Sequence, residues 1–438
     1  MLERTHFSDE LKKVIGKNAV VSGWCQDIRL IGGINFITLR DKEGLVQITV
    51  PRKKVPKKIF DICNELHQED VLSIKGKVIK NKIAKAGVEI IPMEVEVVSK
   101  AAVPLPLDPR KVVKANLDTR LDWRVLDLRT PQNLAIFKIQ SKLIEGMEEC
   151  LRKNGFIQVY TPSLLGGISE SGSEVFPVVY YDKQAYLRQD PQLHRELLIA
   201  AGFDKIFDIG PSWRAEKSHT VRHLAEHRTI APEMAFIKDE SETIRLEAEM
   251  IVYVLKKIKK ECKEELELLN KKISIPKIPF PELRFPKIYD ILKTMGKKIP
   301  FGKDYDRESE NLLWKYAKRK YKTDFFFVNR FPFDAKPFYV MRVDEEPKWA
   351  RSVDLLFKGV ELSSGGQREH RYKKILQQLK EKKMNLESMK WFTESFRYGV
   401  PPMGGFSVGI ERFTQKLLDL KNVREATLFP RDTKRLVP

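Results

Sequence analysis

The sequence predicts an α+β protein, a small all-β domain followed by a larger one in which helices and strands are arranged around an antiparallel sheet. Three observations predict it. Residues 17 to 100 hold short β-branched or alternating runs separated by turn signals. A helical periodicity takes over just after residue 130. Beyond that helix, strands and helices alternate irregularly, without the repeated βαβ rhythm of a doubly wound sheet.

The first domain reads as the strands AVVSGW, INFITLRD, LVQITV, VLSIKGKVI and VEIIPMEVEVV, with turns at Gly32-Gly33 and Lys42-Glu43-Gly44 and one helical stretch, KKIFDICNEL. Five strands and one helix within residues 1–104 fit an OB-type barrel, a common nucleic-acid module. Residues 105–130, rich in Pro, Lys and Arg, read as a linker or hinge. Thr130-Pro131 then supplies a cap and a first-turn proline. Leu134, Ile136, Ile139, Leu143, Met147 and Leu151 follow at helical spacing until Asn154-Gly155 stops the helix. The second domain takes residues 131–438. Within it, about 240–345 holds a long charged helix, the Pro-rich SIPKIPFPELRFPK and two strand-like runs, DFFFV and PFYVMRV, an insertion that elaborates the same domain.

Hydrophobic residues make up 42% and charged residues 32%, and no apolar run approaches the roughly 18 residues that span a bilayer, so a soluble protein with no membrane partner is expected. The N-terminal MLERTHFSDELKKVIGK lacks the apolar core of a secretory signal, which predicts a cytoplasmic location. Cys25, Cys63, Cys150 and Cys262 form no CxxC pair and read as isolated buried thiols. A formal charge of +20 would draw a polyanion, with nucleic acid the natural candidate; a solvated lysine-rich surface would carry the same charge.

Activating a carboxylate with ATP requires cations on the phosphates, metal-binding carboxylates and a rigid platform that aligns attack on the α-phosphate. Three stretches supply such groups. IGPSWRAEKSHTVRHLAEHRTIAPEMAF offers Arg214, Glu216, Arg222 and His223 on a strand-loop-strand pattern. VDLLFKGVELSSGGQREH places Asp354, Glu361 and Ser364 near a Gly-rich turn. PPMGGFSVGIERF sets a glycine-rich strand before Arg412 at a helix start. Singly, each also fits a surface ion pair or an ordinary turn; it is their joint occurrence in this order that points to a site.

PSWRAE followed by RH resembles motif 2 of the class II aminoacyl-tRNA synthetases, GGFSVGIERF resembles motif 3, and the 131–154 helix with GFIQVYTP resembles motif 1. LDTRLDWRVLDLR, YLRQDPQLHRELL, ELSSGGQREHRY and the ending REATLFPRDTKRLVP further resemble the archaeal and eukaryotic type of aspartyl-tRNA synthetase, over essentially the whole chain. That resemblance implies ATP and Mg2+ as cofactors. Arg214 would hold the α-phosphate and the acid's carboxylate, Glu216 the adenine, and Arg222, His223 and Arg412 the bent triphosphate, with Gly409 and Glu411 in the same nucleotide-binding segment. Asp354, Glu361 and Ser364 would hold magnesium, an all-oxygen set that suits it. Glu170, Gln192 and Arg368 match the family's loop glutamate, substrate glutamine and side-chain-gripping arginine, and Ser364 would also border the amino acid. On the barrel, Phe36 would stack on an anticodon base, Gln47 would bond a base edge and Arg29 would hold base or phosphate.

The amino-acid pocket departs from the family. QSPQLYKQ reads QDPQLHRE, which puts Asp190 for serine and Arg195 for the carboxylate-gripping lysine. The acid that receives the substrate ammonium is Ala231, a loop glycine is Ser171, and Met403 takes the histidine place of PPHGG. An ammonium without a counter-charge in a closed site would cost about several kcal/mol. Asp190 is the residue expected to replace that charge. Gln26 and the loop at Ala84-Lys85 stand where the family sets its choice between aspartate and asparagine tRNA.

The resemblance therefore implies an aminoacyl-tRNA ligase that forms aspartyl-adenylate and passes aspartate to the 3′-terminal adenosine of tRNA, working as a homodimer through motif 1. The alternative is a paralogue that activates another small acid or uses another acceptor.

Overall fold

Alternation closes the first domain. In β1 (Asn18–Ile31), β2 (Ile34–Arg40), β3 (Leu45–Pro51), β4 (Val71–Lys80) and β5 (Val88–Ser99) every second residue turns inward, and Val21, Ile37, Leu39, Ile48, Ile74, Val78 and Ile90 are buried. The strands form a closed barrel in the order β1-β2-β3-β5-β4, whose β3 to β5 pairing is parallel. Helix α1 (Lys57–Asn64) lies between β3 and β4 in sequence and adds Ile59, Phe60 and Cys63 to that core. The five strands and single helix are those predicted, although β1 continues past the predicted run to Ile31. The structure, a computed structural model, describes residues 2–84, 86–167, 175–215, 217 and 220–438.

The chain divides into two compact units, Met1–Pro131 and Gln132–Pro438. Residues 105–130 fall in the first, with short helices at Leu117–Asp122 and Arg124–Leu128. One polar cluster of that unit is buried. Arg40 donates to both oxygens of Glu69 at 2.9 and 2.7 Å, and Arg129 adds a third bond to Glu69 at 3.0 Å. Arg40→Ala would leave Glu69 buried with Arg129 alone, so a loss of about 3 kcal/mol is expected in urea unfolding. A change within about 0.5 kcal/mol would show that the pair is dispensable.

In the second unit, α2 (Pro131–Lys153) buries Ile136, Ile139, Leu143, Met147 and Leu151 and ends on Arg152 and Lys153, where cations suit the helix dipole. The strands are β6 (Ile157–Gln158), β7 (Leu164–Leu165), β8 (Pro177–Tyr180), β9 (Lys183–Leu187), β10 (Lys205–Trp213), β11 (Glu226–Ala235), β12 (Glu282–Arg284), β13 (Phe325–Asn329), β14 (Ser352–Phe357), β15 (Val360–Arg368) and β16 (Met403–Gly409). Eight of them form one sheet in the order β12-β13-β14-β15-β16-β11-β10-β6, while β7, β8 and β9 make a small second sheet. The large sheet is antiparallel from β13 to β10, as predicted, but parallel at both edges, where β12 joins β13 and β6 joins β10. Helices α3 (Gln192–Ala200), α4 (Ser241–Glu261), α5 (Arg307–Tyr321) and α6 (Ile410–Leu417) complete the elements that matter for the site.

The segment at about 240–345 supplies β12 and β13 at the edge of the same sheet. PFYVMRV, however, is not a strand. It forms only isolated bridges from Val340 to Arg368 and from Arg342 to Ala350, because Phe338, Tyr339, Val340, Met341 and Val343 are all buried and no polar face alternates with them. All four cysteines are buried free thiols. Among the described residues no helix is long and apolar enough to cross a membrane.

Candidate functional site

Strand β10 ends at Trp213 and β11 begins at Glu226, so the intervening loop carries Arg214 at its base, where the Arg214 N–H donates to the Ala225 carbonyl at 2.9 Å. Arg222 and His223 lie on the returning limb. The Arg222 N–H donates to Thr220 Oγ1 at 3.2 Å, and the His223 ring Nδ1 lies 2.8 Å from the same hydroxyl. Arg412 starts from the first turn of α6 and donates to the Glu361 carbonyl at 2.9 Å, with its carboxylate 3.6 Å away. These arginines converge. His227, on β11 between them, is pushed down to about 3 by burial and by the charges of Arg214 and Arg412, so it stands as a neutral imidazole at neutral pH.

Asp354 on β14 pairs with Ser364 on β15, and the Ser364 hydroxyl donates to it at 2.7 Å. A register shift between Leu355 and Leu356 follows, so Glu361 departs from the simple alternation that would set it against Ser364. Lys336 donates to both oxygens of Asp354 at 3.1 and 3.3 Å. Burial pushes the Asp354 carboxyl up to about 7; Lys336 opposes the rise and Glu361 adds to it. Two carboxylates and a hydroxyl offer the kind of oxygen ligands that suit a hard divalent ion, while the Lys336 ammonium bonded to Asp354 offers none. Among the described residues there is no cluster of three or more acidic, His or Cys side chains that could hold a metal unaided.

The amino-acid end is one buried network. Arg368 donates to Glu233 through Nε at 3.0 Å and Nη2 at 3.2 Å, and through Nη2 to Gln192 Oε1 at 3.1 Å. Gln192 Nε2 donates to Glu233 at 3.1 Å and to Glu196 at 3.0 Å, and its Oε1 also accepts from Arg195 at 2.9 Å. Arg195 bonds Asp208 at 3.0 Å and Asp190 through its other terminal nitrogen. Burial opposes the Arg195 charge, but Asp190, Asp208 and Glu233 overcome it and raise its pKa. Gly405 makes the approach of Glu233 possible, since a Cβ there would lie 2.1 Å from the Pro232 carbonyl and 2.5 Å from the Glu233 carboxylate.

Several residues take places the sequence did not reveal. Gln192 uses both its amide donors and its oxygen inside the network, so it positions Arg368 and Arg195. Ala231 is buried directly across from Asp208 in the β10 to β11 register. Met403 is buried across from Arg368, in the apolar cluster beside Val340 and Tyr339. Gly409 ends β16 and caps α6. Glu411 is buried and accepts the Arg228 N–H at 2.9 Å, tying α6 to β11. Burial pushes the Glu411 carboxyl up to about 7. Glu310, on the inserted helix α5, reaches Arg222 at 3.6 Å. Burial and Glu361 push it up to about 7. Asp208, Glu233, His227 and Glu310 were missed because each acquires its neighbours only through pairing distant in sequence. Glu170, Ser171, Glu216 and Lys85 lie outside the described residues.

On the barrel, Arg29 faces Phe36 across β1 and β2, Phe36 faces Thr49, and Gln47 faces Thr38, so Arg29, Phe36 and Gln47 share the outer face. Gln47 Nε2 donates to Thr49 at 3.0 Å and to the buried Glu89 at 2.9 Å, which fixes the amide and leaves its oxygen as acceptor. Arg40 approaches the Gln26 amide oxygen at 3.4 Å.

A closed five-stranded barrel in one unit, and in the other a mainly antiparallel sheet that carries arginines, carboxylates and a buried ionic network, match the two-domain make-up of a class II synthetase. The family model "tRNA synthetases class II (D, K and N)" matches residues 116–433, and the model for an OB-fold nucleic acid binding domain matches residues 19–98. The chain belongs to that class II synthetase family, with an OB-fold domain at its N-terminal end. It is 46% identical over 436 residues to the aspartate–tRNA(Asp) ligase of Pyrococcus horikoshii, covering 99% of this chain and 100% of that one. It is 40% identical over 438 residues to the aspartate–tRNA(Asp/Asn) ligase of Methanopyrus kandleri, covering both chains in full at 100%. Among solved structures, asparaginyl-tRNA synthetase from Pyrococcus horikoshii complexed with asparaginyl-adenylate superposes with a TM-score of 0.92 at 31% identity over 100% of both chains.

Proposed function

We propose that this chain is an aspartate–tRNA ligase, which joins aspartate to ATP as aspartyl-adenylate and then transfers it to tRNA. One observation supports the acid most directly. Arg368 is buried and has Nε and Nη2 committed to Glu233 and Gln192, while its Nη1 makes no hydrogen bond among the described residues and is left to meet a side-chain carboxylate. Asp190, bonded through Oδ1, keeps Oδ2 for the substrate ammonium.

The substrate's α-carboxylate is already the nucleophile, so no general base is needed. Its oxygen attacks the α-phosphorus, the bond to the bridging oxygen breaks, and pyrophosphate leaves. Arg214 neutralises charge on the pentacovalent phosphorus, and Arg222, His223 and Arg412 hold the phosphate chain. Glu216 would contact adenine and Glu170 would bind the amino acid, roles that the resemblance alone implies. Asp354, Glu361 and Ser364 would hold Mg2+, which supplies charge neutralisation on the departing phosphates. The 3′-hydroxyl of the terminal adenosine then attacks the acyl carbon and AMP leaves. Arg29, Phe36 and Gln47 bind the anticodon on the barrel's outer face. The working form is a cytoplasmic homodimer.

The test is ATP–pyrophosphate exchange with purified protein across aspartate, asparagine, glutamate, succinate and malate, followed by charging of total tRNA. Exchange with aspartate and acylation of tRNA are expected. Exchange confined to another acid would replace aspartate as substrate and favour the paralogue reading that Ala231 raises.

A further inference from the structure

Glu196 lies one helical turn after Gln192 on α3 and is fully enclosed at 0% exposure. One oxygen accepts from Gln192 Nε2 at 3.0 Å, and the other, Oε2, has no hydrogen-bond partner. The charged groups that face it are Arg195 from its own helix, Arg368 from β15 and Glu233 from β11. Around this point Arg188, Arg195 and Arg368 supply three positive charges, and Asp190, Asp208 and Glu233 three negative ones. The network is therefore balanced only while Glu196 is neutral. The QDPQLHRE segment ends on this residue, so the glutamate is part of the rewiring that also placed Asp190 and Arg195.

We propose that Glu196 is a specificity-determining positioning residue, a protonated carboxylic acid that holds the Gln192 amide and, by staying neutral, lets Arg368 prefer an acidic side chain over its amide. The inference rests on the aspartate reading above. Burial pushes the Glu196 carboxyl up to about 8, with Glu233 adding to the rise and Arg368, Gln192 and Arg195 opposing it. The proton is thus held at neutral pH and lost on the alkaline side. An ionised Glu196 beside Glu233 repels an incoming carboxylate at Arg368, whereas neutral asparagine meets no such repulsion.

The experiment measures KM for aspartate and for asparagine in pyrophosphate exchange from pH 6.5 to 9.5, in the full-length wild type and in Glu196→Gln. In the wild type, KM for aspartate is expected to rise about tenfold as pH passes through about 8, with little change for asparagine. Glu196→Gln, nearly isosteric with the protonated acid, is expected to flatten that rise and keep the aspartate preference at all pH values. A wild-type minus Glu196→Gln infrared difference spectrum at pH 7 is expected to show the carbonyl stretch of a protonated carboxylic acid, a signal that packing alone would not produce. An unchanged alkaline rise in the variant, or a flat aspartate-to-asparagine KM ratio in the wild type, would overturn the proposal. The wild-type ratio decides the matter even if the variant does not fold. A wild type without aspartate-dependent exchange at any pH would instead remove the aspartate reading, and the infrared band would still decide the protonation of Glu196.

Discussion

Arg214→Ala is expected to slow adenylate formation by about a thousandfold at saturating aspartate and ATP, the scale found when one preorganised donor to a developing charge is removed. The geometry leaves no substitute. The loop base is pinned by the Arg214 N–H to Ala225 bond, so the guanidinium is delivered from a fixed backbone point. A nitrogen base within its field, His227, is held neutral by burial and by Arg214 and Arg412, with its pKa down at about 3. Removing Arg214 relieves only part of that depression, because burial is its largest cause and Arg412 remains, so His227 should not gain a compensating charge at neutral pH. Arg214→Lys keeps a charge but loses the planar fork, and an intermediate defect of about a hundredfold is expected. Single-turnover formation of the adenylate, followed by quench and separation, measures both variants directly. A loss below about tenfold in the alanine variant would place the reacting phosphate elsewhere.

Much of the fold was legible because its signals are local. Alternation along INFITLRD and LVQITV gives both the strands and the face that carries Phe36 and Gln47, since residues two apart share a face whatever surrounds them. The helix that begins at Pro131 was readable from its first-turn proline and its spacing. PFYVMRV shows where local reading stops. Its composition is that of a strand, yet its burial on all sides leaves it as extended chain with isolated bridges. The candidate residues were legible as types in order, but the partner of each was not. Arg195 meets Asp208 through a helix docked on a strand, and Glu310 reaches Arg222 from an insertion. Glu411 illustrates the converse. It sits inside the motif that marks the nucleotide segment, but its carboxylate faces the Arg228 backbone and serves packing between α6 and β11. Pairings of this kind depend on register and docking, which no window of sequence contains.

Asp190→Ala is expected to raise KM for aspartate by about a hundredfold while KM for ATP stays within about twofold, as follows from truncating one member of a buried charge pair that also meets the substrate. The residue does two things at once. Its Oδ1 holds Arg195, and on the proposed reading its Oδ2 takes the substrate ammonium, a role that the resemblance would give to an acid at the position of Ala231. Asp208 is not an equal replacement, although it lies directly across from Ala231. It is buried and already bonded to Arg195 at 3.0 Å and to the Thr161 hydroxyl at 2.9 Å, with Arg188 at 3.9 Å. Restoring the acid tests this division of labour. Ala231→Asp in the otherwise unchanged chain would set two carboxylates opposite each other on neighbouring strands, where Cβ atoms are about 5 Å apart, so it should weaken aspartate binding. In the Asp190→Ala background Arg195 has lost one of its two carboxylates, and the same substitution should then recover about tenfold of the lost affinity by answering both Arg195 and the ammonium. Steady-state exchange on the two single variants and the double variant yields the coupling between the positions. Normal aspartate activation by Asp190→Ala, or strictly additive effects in the double variant, would mean that the ammonium finds its counter-charge at another residue.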